Sequence, residues 1–311
     1  MITIPTVFIL GAGASAEYGF PLGNDLVRMI VAGTEGNGPL YPELLAAGFS
    51  GAEVTTFSRK LRDSDSLSID TFLEGNGGGQ FQAIGKAAIA ITILRAEQMS
   101  IVGQKWLGQN VPADHWLRYV WNLMRSGCAS SKDFTKNKVA VVTFNYDRSV
   151  EWYFRTVLES AFNLPGPSDA ASLFESAVQV VHLHGKIAHR EFGQYSTLSG
   201  QEVKQIASGI RVVHDAADEP QFKTAYKLFG EAQLLCLLGF GYHPVNIDRL
   251  RLNQSLPRHT AILASTYKMG EAEVRVAQGR IQRRFNTARG GLDIWSDYKA
   301  EKFLREVAEL R

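Results

Sequence analysis

Six short runs of apolar, β-prone residues most constrain what this chain can fold into: TVFIL at 6–10, KVAVVTF at 138–144, VQVVHLH at 178–184, LLCLLGF ending at Phe240, TAILAS at 260–265 and LDIW at 292–295. Most are apolar on both faces, which is the pattern of parallel strands covered on each side by helices. Helical periodicities lie between the later runs, in SVEWYFRTVLESAF, FKTAYKLFGEAQ, VNIDRLRLNQ and EAEVRVAQGRIQRRF, and YKAEKFLREVAEL closes the chain. Strand and helix therefore alternate as in a doubly wound sheet. The stretch from about 32 to 135 breaks the rhythm with FQAIGKAAIAITILRAEQM, HWLRYVWNLM and a GNGGG loop at 75–79. The expected architecture is a single α/β domain over residues 1–311: a Rossmann-like parallel sheet of about six strands with an inserted helical module.

Composition narrows the function classes. With 33 Lys and Arg against 31 Asp and Glu the net charge is only +2, too little to argue for nucleic acid. Cys128 and Cys236 are far apart and sit among small or apolar residues, so neither a disulfide framework nor a four-thiolate zinc site is expected, and no metal. The N-terminal MITIPTVFIL has strand length and no basic flank, which argues for a cytoplasmic protein without a membrane span.

After TVFIL comes Gly11, Ala12, Gly13, Ala14, Ser15, Ala16, with Gly19 and Pro21 following. This fits the relaxed dinucleotide fingerprint G-x-G-x-x-A, in which glycines let the backbone approach a pyrophosphate. A dehydrogenase would also place an acidic residue at the end of a second strand about 20 residues on. Here GFPLGNDLVRMIVAG follows instead, with Asn24 or Asp25 as a helix cap, so hydride transfer is disfavoured. Two later runs end in polar residues at the edge where open α/β sheets bind ligands: TFNYD with Asn145 and Asp147, and HLHG with His182 and His184. Period two puts both histidines on one strand face, His184 at the rim and His182 deeper. Asp147 is read as either a helix cap or a ligand contact, and Asp70 likewise as a cap or a site residue.

Taken in order, GAGAS, GFP, TFNYD, LHG and LGFGYHP resemble the motif series of the sirtuins, over residues 6 to about 245. The resemblance implies NAD⁺ as substrate, with Gly11, Ala12, Gly13 and Ser15 at its phosphates, Asp147 at the nicotinamide carboxamide, and Gly239 and Gly241 on the ribose side. It also implies Asn145 and His184 as the catalytic residues. The zinc ribbon of the protein deacylases and their D-F-R after G-x-P are missing, whereas IDTFLE at 69–74 is similar to the I-D-x-F-L element of bacterial anti-phage sirtuin-like proteins. That subfamily implies outright hydrolysis of NAD⁺, as an antiviral effector that depletes the cofactor. It also implies a homo-oligomer or a partner such as a ring-forming ATPase or an Argonaute-like protein.

The chemistry is compatible with so small a catalytic set. Nicotinamide leaves a pyridinium as a neutral molecule and needs no general acid, so the barrier lies in the oxocarbenium-like transition state. Histidine is the usual residue for general-base work, so His184 suits a base, while the Asn145 amide can hold a water and a ribose hydroxyl. Other readings remain open at this point: deacylation, ADP-ribosyl transfer, or nucleotide sensing without turnover.

Overall fold

In the computed structural model every expected run forms a strand: β1 Thr6–Leu10, β2 Val139–Thr143, β3 Val178–His182, β4 Leu234–Leu238, β5 Ala261–Thr266 and β6 Leu292–Ser296. The structure describes residues 1–310 except 37, 77–78, 101–113, 189–191, 193–194, 213–218, 285–291 and 297. All strand pairs are parallel and the order is β3-β2-β1-β4-β5-β6, the arrangement of a doubly wound Rossmann-like sheet. Thr6 lies beside Val139 on one flank and Leu234 on the other. The direction of winding thus reverses between β1 and β4, where folds of this kind open a ligand crevice at the carboxyl ends of the strands.

Alternation along the strands sorts their side chains into two cores. Phe8, Leu10, Val141, Cys236 and Leu238 pack with the helices Trp116–Arg125, Ser149–Phe162, Pro167–Ala177 and Ala300–Glu306. Val7, Ile9, Val142, Leu235 and Leu237 pack on the opposite face, against Pro220–Glu231, Pro244–Leu250 and Glu271–Arg284. Each fully buried Phe or Leu contributes about 1.5–3 kcal/mol, so the all-apolar runs are stable only when both faces are covered.

The inserted helices form a third core of their own. Leu26, Ile30, Phe57, Phe72, Ile89 and Leu94, from the helices Gly23–Thr34, Gly51–Asp63, Ile69–Gly75 and Gln80–Met99, pack together and against Tyr146, Ile187 and Leu198 beyond the ends of β2 and β3. The module therefore stands at the carboxyl edge of one half of the sheet. HWLRYVWNLM, read as part of the same module, instead joins the sheet core through Trp116, Leu117, Val120 and Met124. Two local readings are corrected. Leu22 precedes the helix Gly23–Thr34 without a side-chain cap, so neither Asn24 nor Asp25 occupies that position. VNIDRLRLNQ is not one helix but two, Pro244–Leu250 and Leu252–Ser255, broken at Arg251, whose backbone is left-handed. Of the GNGGG loop, residues 77–78 lie outside the described residues. Among the described residues no helix is long and apolar enough to cross a membrane.

Candidate active site

A cleft of about 750 Å³ opens at the reversal point, a size typical of small-molecule sites. Gly11, Ala12, Gly13, Asn145, Asp147, His184, Gly239 and Gly241 line it, together with Asp70 and Arg249. Of the residues predicted for the site, only Ser15 is absent from the wall.

The glycines at the ends of β1 and β4 pack on one another. A Cβ added at Gly11 would lie 2.5 Å from the Gly239 carbonyl oxygen, and one at Gly13 would lie 2.8 Å from Gly239 Cα. A Cβ at Gly239 would come within 2.0 Å of the Ala14 nitrogen, and Gly239 itself has φ +57°. Close backbone packing thus requires glycine at all three positions with no ligand present. The turn also consumes its own amides: Gly11 donates to Leu238 O, Gly13 to Gly239 O, Ala14 to Gly11 O and Ser15 to Ala12 O. Gly241 differs, because a Cβ there meets nothing within 4 Å.

Asn145 ties this turn to β2. Its Nδ2 donates to Gly11 O and to Ser15 Oγ, both at 3.0 Å, and its backbone nitrogen donates to Thr143 Oγ1. Both amide hydrogens are spent, so only Oδ1 remains for a ligand, as an acceptor. Any hold of the Asn145 amide on a water or a ribose hydroxyl therefore goes through the two lone pairs of Oδ1. Ser15 is 3% exposed and lies behind the wall, taking the Asn145 bond and facing Ser149 Oγ at 3.5 Å, so a direct phosphate contact gives way to a buried bridge. Asp147 accepts from the Ser149 amide at 3.1 Å and from the Ser149 hydroxyl, holding the first turn of Ser149–Phe162. Burial raises its carboxyl pKa, against the lowering effect of those bonds. The N-cap position itself is Arg148, so Asp147 braces the helix start from one residue before it and also lines the cleft.

The two histidines do not share a face. β3 ends at His182, and His184 stands in the turn beyond it. His182 Nδ1 lies 2.9 Å from Asn145 O and its Nε2 3.0 Å from Glu151 Oε1, while Lys186 Nζ reaches the same Glu151 oxygen at 2.5 Å. Burial opposes ionisation of Glu151, but His182 and Lys186 outweigh it and hold the carboxyl well below the usual carboxylate range. Both His182 nitrogens face acceptors, a pattern satisfied when both carry protons. The ring thus braces the Asn145 backbone from behind.

His184 is 3% exposed, with Nδ1 3.1 Å from Asp70 Oδ1 and the ring edge-on to Phe144. Its Nε2 is buried and has no hydrogen-bond partner among the described residues. The backbone on either side is pinned: Leu183 donates to Thr143 O, and Arg211 donates to His184 O. Gly185 follows with φ +73°, where a Cβ would strike Gly209 O at 1.9 Å, so the HG pair is fixed by packing. Asp70 also accepts from the Tyr146 hydroxyl. The helix that carries Asp70 is capped by Ser68, which accepts from the Thr71 amide at 3.2 Å, so Asp70 is free of the capping role. Glu74, at the far end of the same helix, pairs with Arg249 at 2.9 Å across the cleft. Tyr146 and Glu74 fall inside TFNYD and IDTFLE, and Arg249 inside VNIDRLRLNQ, but nothing in those runs singles them out, and only the tertiary fold brings them to the cleft.

The fold and the cleft together define an α/β protein with a histidine-bearing crevice at the switch point of a Rossmann-like sheet. Compared with known proteins, the chain matches no family model and no curated sequence.

Proposed function

We propose that this cleft binds NAD⁺ and hydrolyses the bond between nicotinamide and ribose. The observation that carries the reading is His184 Nε2: buried, without a partner, and set in the wall of a cleft at the sheet's switch point. The ordered motifs that resemble those of sirtuins supply the choice of dinucleotide. In this reading the pyrophosphate lies over the Gly11–Gly13 turn, where the Ala12 amide, alone among Gly11 to Ser15, makes no backbone hydrogen bond among the described residues. The ribose next to nicotinamide lies toward Asn145 and His184.

The chain's own groups then divide the work. Asn145 Oδ1 accepts from the attacking water or a ribose hydroxyl and orients it, which lowers the entropic part of the barrier. As the C–N bond breaks, its electron pair leaves with neutral nicotinamide, the water oxygen bonds to the anomeric carbon, and the water proton passes to His184 Nε2. The products are nicotinamide, ADP-ribose and a proton. Depletion of the cofactor in an antiviral response, by a homo-oligomer or with a partner, is the cellular role that this reading carries with it.

Incubation of the purified chain with NAD⁺, with products resolved by chromatography, tests the reading. Equal amounts of nicotinamide and ADP-ribose are expected, with none from His184→Ala. Absence of turnover, or product only when an acylated peptide is added, would overturn it.

A further inference from the structure

We infer that Asp70, delivered by the inserted helical module, positions His184 by fixing its proton on Nδ1, so that Nε2 meets a ligand as a bare acceptor. Asp70 Oδ1 stands 3.1 Å from Nδ1 and at the same time takes the Tyr146 hydroxyl proton. Asp70 Oδ1 already accepts from the Tyr146 hydroxyl, so it faces Nδ1 as an acceptor. An ionised carboxylate only accepts, so the nitrogen facing it must donate. In a neutral imidazole the other nitrogen is then unprotonated.

The remaining surroundings leave Nε2 no donor. Phe144 presents a ring at 5.4 Å between centroids, Tyr146 lies 6.2 Å away with its hydroxyl committed to Asp70, and the Arg211 amide donates to the His184 carbonyl while its guanidinium pairs with Glu219. A shielded acceptor without a partner carries a desolvation penalty, which a ligand hydroxyl recovers and a carbonyl or carboxylate does not. The subsite therefore selects a hydroxyl donor, such as a sugar hydroxyl or a water. Asp70 also lines the cleft, and its part in this inference is played through the His184 ring. It is held in place because Ile69, Phe72 and Leu73 bury their side chains in the insertion's core. The sheet alone would carry His184 without the carboxylate that orients it.

As a statement about catalysis this rests on the NAD⁺ reading, and the test separates the two. Two-bond ¹H–¹⁵N spectra of the labelled full chain near neutral pH, without ligand, report which ring nitrogen of His184 is protonated. The wild type should show a protonated Nδ1 and a bare Nε2. Asp70→Ala should lose that preference and lower kcat roughly a hundredfold with KM changed less than about threefold, since a misoriented base costs that much without loss of binding. Tyr146→Phe, which keeps the carboxylate, should retain the tautomer and lose only a few-fold in kcat, and it serves where Asp70→Ala folds poorly. A proton on Nε2 in the wild type, or an Asp70→Ala protein with unchanged spectrum and kcat, overturns the inference. The expected tautomer in a chain that never turns over NAD⁺ would leave the positioning intact and refute the NAD⁺ reading.

Discussion

The two ends of the cleft are built differently. Where β1 and β4 end, Gly11, Gly13 and Gly239 press backbone on backbone, and the turn's amides are mostly bonded to carbonyls of the turn itself and of the end of β4. Past β3, His184 keeps a buried nitrogen with no partner, and an inserted helix supplies the carboxylate beside it. A glycine fingerprint can therefore be satisfied by packing alone, whereas an unspent polar atom in a buried wall has no packing explanation. The functional argument is stronger at the histidine end than at the glycine end.

The largest expected effect breaks the glycine end. Gly239→Val places a branched side chain on a left-handed backbone and against the Ala14 amide, so a loss of at least about 4 kcal/mol is expected. Gly13→Val should act in the same way, through Gly239, rather than by blocking a pyrophosphate as the fingerprint alone suggests. Thermal unfolding with and without NAD⁺ checks this. A Gly13→Val protein as stable as the wild type but unable to bind NAD⁺ would restore the fingerprint's usual meaning.

Next in size is the buried charge behind Asn145. Glu151→Gln leaves His182 facing an amide and should cost about 3 kcal/mol at neutral pH. The pH dependence has a definite sign. Because the folded carboxyl titrates below its unfolded value, its contribution is complete above the unfolded pKa, about 4.3, and is lost only as pH falls through the lower folded value. The stability gap between wild type and variant should hold from pH 7 to 5 and close in stronger acid, as read by denaturant titrations at each pH. A gap that persists undiminished in strong acid, where the Glu151 carboxyl is protonated, would contradict the ion pairing.

The two catalytic candidates sharpen the comparison, because Asn145 belongs to both ends and His184 to one. His184→Ala and Asn145→Ala should each lower turnover by at least about a hundredfold. Asn145→Ala should in addition lose about 1–3 kcal/mol of stability, since Gly11 O and Ser15 Oγ lose their donor. Equal stability in the two variants would show that Asn145 does not hold the turn.

The six strands were legible in the sequence because parallel strands buried on both faces leave uninterrupted apolar runs such as VAVVT and LLCLL. Asn145 and His184 were legible because polar residues at the ends of such runs fall on the ligand edge. Asp70 was not resolved, since its pairing with His184 spans 114 residues of chain and IDTFLE reads equally as a capped helix start. The separation of His182 from His184 was missed because β3 stops two residues early, and period two no longer applies in a turn. The steric role of Gly239 was hidden for a related reason, as it depends on strand order and not on local pattern.

Gly241 is the position where the smallest structural effect and a clear functional one should part company. Unlike its neighbour Gly239 it lies on the cleft wall with open space where a Cβ would go. Alanine there demands no left-handed backbone and meets no backbone atom, so stability should stay within about 0.5 kcal/mol of wild type. If the ribose side of NAD⁺ lies against this glycine, the added methyl occupies space the ligand needs and KM should rise on the order of tenfold, the scale of one misplaced methyl group, with kcat little changed. The pair Gly239→Ala and Gly241→Ala then separates the two uses of glycine within three residues: the first should lower the melting temperature whether or not NAD⁺ is present, the second only the affinity. An unchanged KM in a folded Gly241→Ala protein would mean that the ribose lies elsewhere in the cleft, and would leave the histidine end as the sole support for where the ligand sits.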